Sequence, residues 1–154
     1  PDMQRCRCSQ SAIERYLGRI SQPLIDRIDI CVEAAALAFR ALNGAAKEEC
    51  SADIRRRVVQ AHEIQRERYR EETFCYNSQI PAARIREYCG LSGEQEARME
   101  RLYTSLGLTA RTYHKILKVA RTLADMDGED KIGDCHLNEA VCYRSLDKKF
   151  WERP

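Results

Sequence analysis

Residues 109–127 read TARTYHKILKVARTLADMD, and their apolar side chains recur at the spacing of one helix face. Thr109 is a suitable N-cap for this helix, which is predicted to run to Asp127. The predicted core positions are all apolar and fall on that face: Tyr113, Ile116, Leu117, Ala120, Leu123 and Ala124. Because such a face must be covered by other elements, the segment predicts a helical bundle.

Similar patterns predict four neighbouring helices, with approximate bounds 51–71, 81–90, 92–106 and 134–146. Ser51 and Asp134 are expected to cap the first and the last of them. Ser92-Gly93-Glu94-Gln95 has the pattern of a capping box. The fold class is therefore mainly α, with a bundle over 51–147 and a frayed tail over 148–154.

The first part of the chain has a different pattern. Ser9 is expected to cap a helix that runs to Arg19, and Pro23 to Arg27 reads as a helical turn. Alternating apolar residues then predict a strand from Ile28 to Glu33, although the sequence offers it no partner strand. Residues 34–50 are interpreted as a connector.

Composition limits the classes of function. The chain has 154 residues, of which 44% are hydrophobic and 32% charged, and its net charge of +2 does not by itself indicate nucleic-acid binding. No apolar run is long enough to cross a bilayer and no signal peptide is visible, so we expect a cytoplasmic protein without a membrane partner. In that compartment the eight cysteines are expected to be reduced. Because the chain begins at Pro1 without an initiator methionine, we expect it to be cut from a longer one.

Arg27 lies between Asp26 and Asp29, at the junction of the helical turn and the predicted strand. An arginine held at such a junction can point outward and reach a phosphate bound to a neighbouring subunit. The phosphate-binding pattern G-x-x-x-x-G-K-[ST] does not occur in the sequence. The chain is thus interpreted as a part of a nucleotide-driven machine that senses the nucleotide rather than binding it first.

Arg111 is a second candidate, because it stands in the first turn of the helix that follows Thr109. A cation at the positive end of a helix dipole is unfavourable unless an anion comes there. Arg111 shares a face with Lys115, Lys118 and Thr122. The alternative interpretation of that face is a solvated basic stripe.

Several motifs together resemble the C-terminal part of the magnesium-chelatase-like AAA+ ATPases of bacteria, the ComM/YifB group. The matching motifs cover most of the chain and occur in the family's order: Cys6-Arg7-Cys8-Ser9, Tyr16-Leu17-Gly18-Arg19-Ile20-Ser21, the segments 23–30 and 105–125, His136-Leu137-Asn138-Glu139-Ala140 and Tyr143-Arg144-Ser145-Leu146-Asp147. The resemblance implies that residues 1–33 are the end of an AAA+ α/β core and residues 51–147 the helical lid. The connector from Ala34 to Cys50 departs from the family's usual proline-containing segment.

The resemblance also implies roles and partners. Arg27 matches the family's arginine finger and Arg111 its sensor-2 arginine, which contacts nucleotide. For the parent protein, the implied cofactors are ATP and Mg²⁺. Its implied partners are neighbouring protomers of a homo-oligomeric ring, and its implied substrate is DNA. The Walker motifs would precede Pro1, so the chain alone is expected to be inactive.

Cys6 and Cys8 match the second half of a family pattern whose first half is another cysteine pair upstream. Four thiolates in two pairs could hold Zn²⁺, but two are too few for a structural site. Zinc is therefore expected only in the parent protein, with exposed thiols as the alternative.

Two other functions stay open. The helices between Pro81 and Asp127 could act as a DNA-binding module of the helix-turn-helix kind. The parent could also be a true magnesium chelatase motor that drives metal insertion into a tetrapyrrole.

Overall fold

The computed structural model describes residues 6–34 and 49–150 of the chain. Its α-helices, in chain order, are α1 Gln10–Leu17, α2 Gln22–Ile25, α3 Ser51–Arg68, α4 Ile85–Tyr88, α5 Gly93–Ser105, α6 Ala110–Met126 and α7 Asp134–Phe150. Two 3₁₀ turns, Asn77–Gln79 and Ala82–Arg84, lie between α3 and α4. The predicted mainly helical fold is therefore confirmed.

Helix α6 is the centre of the bundle, because α3, α4, α7 and the turn Asn77–Gln79 all pack against it. Its first turn is capped by Thr109, whose hydroxyl accepts a hydrogen bond from the Thr112 N–H at 3.2 Å. The predicted core face is confirmed: Ile116, Leu117, Ala120 and Ala124 are buried, and Tyr113 and Leu123 are partly buried against the core.

The rest of the core comes from residues on both sides of α6. Its buried members outside that helix are apolar or aromatic: Tyr69, Phe74, Ile80, Ile85, Cys89, Met99, Ile132, Leu137 and Ala140. Tyr69 contacts the rings of Phe74 and Tyr88, with centroid distances of 4.9 Å and 5.0 Å. Such tilted and edge-on contacts are the favoured arrangement of aromatic rings and join the end of α3 to α4.

Helix boundaries agree with the sequence in some places and differ in others. The capping box at α5 is confirmed, since Ser92 Oγ accepts from the Gln95 N–H and Gln95 Oε1 accepts from the Ser92 N–H. The predicted cap of α3 was wrong by one position, because Ser51 is already helical and Cys50 is the N-cap. The helix expected from Pro81 is a 3₁₀ turn followed by the four-residue α4.

The strand predicted from Ile28 to Glu33 is wrong. These residues are not in a strand, and the described residues contain no strand that could pair with them. A strand needs a partner for its backbone groups, and here the Cys31 N–H instead donates to the Tyr143 carbonyl of α7 at 3.0 Å. Most of the predicted connector, residues 35–48, lies outside the described residues.

None of the helices in residues 6–34 and 49–150 combines the length and apolar character that a membrane crossing requires.

Candidate functional site

Arg27 lies in the turn that follows α2, and its side chain is exposed. The turn is closed by backbone bonds, since the Arg27 N–H donates to the Leu24 carbonyl and the Ile28 N–H to the Ile25 carbonyl, each at 3.0 Å. The guanidinium Nη1 donates to the Pro23 carbonyl at 3.0 Å. With respect to the described residues, Arg27 therefore keeps most of its donors available at the surface, as an arginine that reaches another molecule requires.

Arg111 is the second residue of α6 and is also exposed. The first turn of α6 contains no acidic residue, and within the described part of the chain no hydrogen bond or ion pair involves the Arg111 guanidinium. A cation next to unpaired backbone N–H groups raises the local positive potential. This end of α6 is therefore suited to receive an anion.

Lys115 links the Arg27 turn to the helix that contains Arg111. It stands one helical turn after Arg111, and its Nζ donates to the Arg27 carbonyl at 2.5 Å. The same ammonium pairs with Asp29 Oδ1 at 2.8 Å, and the Lys115 side chain is only 17% exposed. The turn that carries Arg27 is thus bound to the first turns of α6, although the two are more than 80 residues apart in sequence.

The stripe that contains Lys115 is not solvated as the alternative interpretation expected. Lys118 Nζ donates to the Ser78 carbonyl at 2.8 Å, and burial lowers the pKa of this lysine. Thr122 Oγ1 accepts from Asn77 Nδ2 at 3.0 Å. Beyond Arg111, the stripe therefore binds the backbone and side chains of neighbouring loops.

Asp125 forms a buried charge network that the sequence analysis missed. Its fully buried carboxylate accepts from Arg68 at 2.5 Å and 2.9 Å, from Arg121 at 3.1 Å and from Asn77 at 2.7 Å. A buried carboxylate is tolerated when such donors surround it. The sequence does contain one indication of this network, because Arg121 and Asp125 are at i, i+4 spacing on the apolar face of α6. The network fixes the end of α3 against the helix that carries Arg111.

Arginines on and near α3, the other candidate basic surface, are largely paired with nearby carboxylates. Arg56 pairs with Asp53 at 2.7 Å, Arg57 with Glu49 at 2.5 Å, and Arg70 with Glu67 at 3.0 Å. Such pairs reduce the net positive potential that a DNA-binding surface needs.

Cys6 and Cys8 lie side by side. The hydrogen bond between the two side chains is the main cause that raises the pKa of the Cys8 thiol. All eight cysteines are free thiols, and the described residues contain no cluster of three or more Cys, His, Asp or Glu side chains that could hold a metal. Two thiols supply half of a tetrahedral zinc site. Residues outside the described ranges would have to supply the other ligands.

Two family models match the sequence. Residues 48–144 match the model described as magnesium chelatase, subunit ChlI C-terminal, and residues 1–42 match the model described as magnesium chelatase, subunit ChlI. The first match alone covers more than half of the chain and includes α3 to α6 with most of α7. The second includes Cys6, Cys8 and Arg27.

Three bacterial relatives have similar sequences over most of this chain. Competence protein ComM of Haemophilus influenzae is 38% identical over 141 residues, which are 91% of this chain and 27% of ComM. Uncharacterized protein YifB is 37% identical over 143 residues in Salmonella typhimurium and 36% identical over 147 residues in Escherichia coli. Each YifB alignment covers 92% of this chain and 28% of the relative. The chain thus spans just over a quarter of the length of these relatives.

Proposed function

We propose that this chain, which belongs to the family of the magnesium chelatase subunit ChlI and is similar to ComM and YifB, supplies an arginine finger and a sensor-2 arginine to a ring-forming AAA+ ATPase. Arg27 is the finger and Arg111 the sensor-2 residue. Both act on ATP held by a neighbouring protomer.

Hydrolysis of ATP requires positively charged groups that are positioned next to the γ-phosphate. When water attacks the γ-phosphate, negative charge spreads over the transferring phosphoryl group and the leaving oxygen. Guanidinium groups stabilise that charge by hydrogen bonds that strengthen in the transition state. Arg27 and Arg111 offer such groups at the surface, and Arg111 adds the positive end of α6.

One contact supports this function above the others. Lys115 donates a hydrogen bond to the Arg27 carbonyl at 2.5 Å, so the Arg27 turn lies beside the helix whose first turn contains Arg111. Two exposed arginines from distant parts of the sequence are therefore carried by one surface. A shared surface is what two residues need in order to approach the same nucleotide.

Other parts of the ring would supply what this chain lacks. The 154 residues contain no phosphate-binding loop, so ATP and Mg²⁺ would be bound elsewhere, and the chain by itself would not hydrolyse ATP. We propose that the motor acts in the cytoplasm and remodels DNA, for example by branch migration. A Zn²⁺ ion would join Cys6 and Cys8 to an upstream cysteine pair.

Arginine-to-alanine variants of the full-length protein test the proposal. Arg27→Ala should lower the kcat of ATP hydrolysis by roughly 10³-fold or more, since an arginine finger contributes on that scale. Arg111→Ala should lower it by roughly 10²- to 10³-fold, as for other groups that stabilise transition-state charge. Nucleotide affinity, measured with a fluorescent ATP analogue, should change little in either variant.

Arg101→Ala is the matched control, because Arg101 is an exposed arginine on α5, and among the described residues it forms no hydrogen bond or ion pair with the Arg27 turn. Its turnover should equal that of the wild type. Normal turnover in both Arg27→Ala and Arg111→Ala would end the proposal. Salt-dependent binding of duplex DNA by the isolated chain would then support the DNA-binding module. ATP-dependent metal insertion into a tetrapyrrole would instead identify a chelatase motor.

A further inference from the structure

The turn that carries Arg27 has little structure of its own. It follows a four-residue helix and is not in a strand. Its apolar neighbours Leu24 and Ile28 are 49% and 40% exposed, while Ile25 is the buried one. Because a short turn with a single buried anchor can adopt many conformations, the position of Arg27 must be set by contacts with the bundle.

Two cations from the bundle hold the backbone of this turn. Lys115 of α6 bonds the Arg27 carbonyl at 2.5 Å and the Asp29 carboxylate at 2.8 Å. Arg144 of α7, which is only 4% exposed, donates from Nη1 to the Ile28 carbonyl at 2.5 Å. Hydrogen bonds from charged donors are stronger than those between neutral groups. Here the two donors are on different helices, and they bind the carbonyls of consecutive residues.

The contacts hold the backbone and leave the guanidinium of Arg27 at the surface. Lys115 binds the carbonyl oxygen of Arg27, whereas the Arg27 side chain donates to the Pro23 carbonyl in the preceding helix α2. The backbone of Arg27 is therefore fixed, while its guanidinium group can still contact another molecule. Lys115 is also one turn from Arg111, so the same rigid helix carries Arg111 and the contact that fixes Arg27.

We infer that Lys115 is a positioning residue that binds the Arg27 turn to α6, while Arg144 binds the same turn to α7, so that Arg27 and Arg111 approach the nucleotide of a neighbouring protomer as one unit. This inference rests on the proposed function. It assigns no contact with ATP to Lys115 itself. A misplacement of about 1 Å can cost on the order of 10²-fold in rate, so the contact should matter for turnover.

The test compares Lys115→Met with Lys118→Met in the full-length protein. Both lysines are on α6 and both bond a backbone carbonyl, but Lys118 bonds Ser78 rather than the Arg27 turn. Lys115→Met should lower kcat by roughly 10- to 100-fold with unchanged nucleotide affinity, and Lys118→Met should leave kcat near the wild-type value. Lys115→Arg, which keeps a cation, should recover most of the loss.

Hydrogen exchange supplies a readout that does not depend on ATP hydrolysis. Peptides covering residues 25–31 should exchange faster in Lys115→Met than in Lys118→Met or the wild type, because the Cys31 N–H donates to the Tyr143 carbonyl only while the turn stays on the bundle. Unchanged exchange in Lys115→Met would overturn the inference.

A double variant shows whether Lys115 acts through Arg27. In single-turnover assays, adding Lys115→Met to Arg27→Ala should slow hydrolysis no further, whereas a general loss of structure would add its own effect. If Arg27→Ala inactivates the protein but Lys115→Met has wild-type turnover, this inference is overturned while the proposed function stands. Wild-type turnover in Arg27→Ala and Arg111→Ala overturns the proposed function first.

Discussion

In residues 49–150 the large apolar side chains mostly meet in one core, whereas in residues 6–34 most of them remain exposed. The bundle buries Ile116, Leu137 and Met99 to 1% exposure or less. In the N-terminal segment Ile13 and Ile25 are buried, while Tyr16 is 63% and Val32 70% exposed. The bundle is thus stabilised mainly by apolar burial.

The N-terminal segment is held to the bundle by a few polar contacts instead. They include the bonds from Lys115 and Arg144 to backbone carbonyls, the ion pair of Lys115 with Asp29 and the bond from Cys31 to α7. Contacts of this kind can break while the core stays closed. The helix with Arg111 and the turn with Arg27 should therefore differ in local stability.

The largest effect is expected in the bundle, from Asp125→Ala. This substitution would leave Arg68 and Arg121 without their buried carboxylate partner. Removing one member of a buried ion pair typically costs about 3–5 kcal/mol. Urea unfolding followed by circular dichroism should show that loss in the free energy of unfolding. Asp53→Ala is the control, because its pair with Arg56 is exposed and should contribute at most about 1 kcal/mol. Equal losses in the two variants would contradict the prediction.

Ile116→Ala and Ile25→Ala compare the two regions directly. Ile116 is 0% and Ile25 2% exposed, so both variants leave a cavity of similar chemistry. Ile116→Ala should reduce the global free energy of unfolding by about 2–5 kcal/mol. Ile25→Ala should instead accelerate hydrogen exchange in residues 22–31 and leave the exchange of α6 unchanged. A global loss of the same size in both variants would show that the two regions unfold together.

The smallest effect is expected at the helix caps, and one cap with a side-chain bond can be compared from each region. Thr109 Oγ1 accepts from the Thr112 N–H, and Ser9 Oγ accepts from the Ala12 N–H. Thr109→Ala should lower the free energy of unfolding by about 1 kcal/mol. Ser9→Ala should change only the exchange rates of α1. A loss in global stability from Ser9→Ala would mean that α1 is part of the cooperative unit.

The difference between the regions also explains which sequence-based predictions were right. The apolar spacing of α6 and the capping box at Ser92 and Gln95 act within a few residues, so they could be recognised locally. The strand predicted from Ile28 had the right alternation but no partner. Its apolar residues Ile28, Ile30 and Val32 stay exposed, and alternation alone cannot supply backbone hydrogen bonds.

By itself, the sequence determined the helical class of the bundle, the core face of α6 and the family to which the chain belongs. These properties depend on local spacing and on motifs that are contiguous in the chain. The tertiary structure alone decided that Lys115 binds the Arg27 turn and that Asp125 is surrounded by Arg68, Arg121 and Asn77. Both arrangements join residues that are distant in sequence, and no local pattern specifies a contact that forms only when the helices pack.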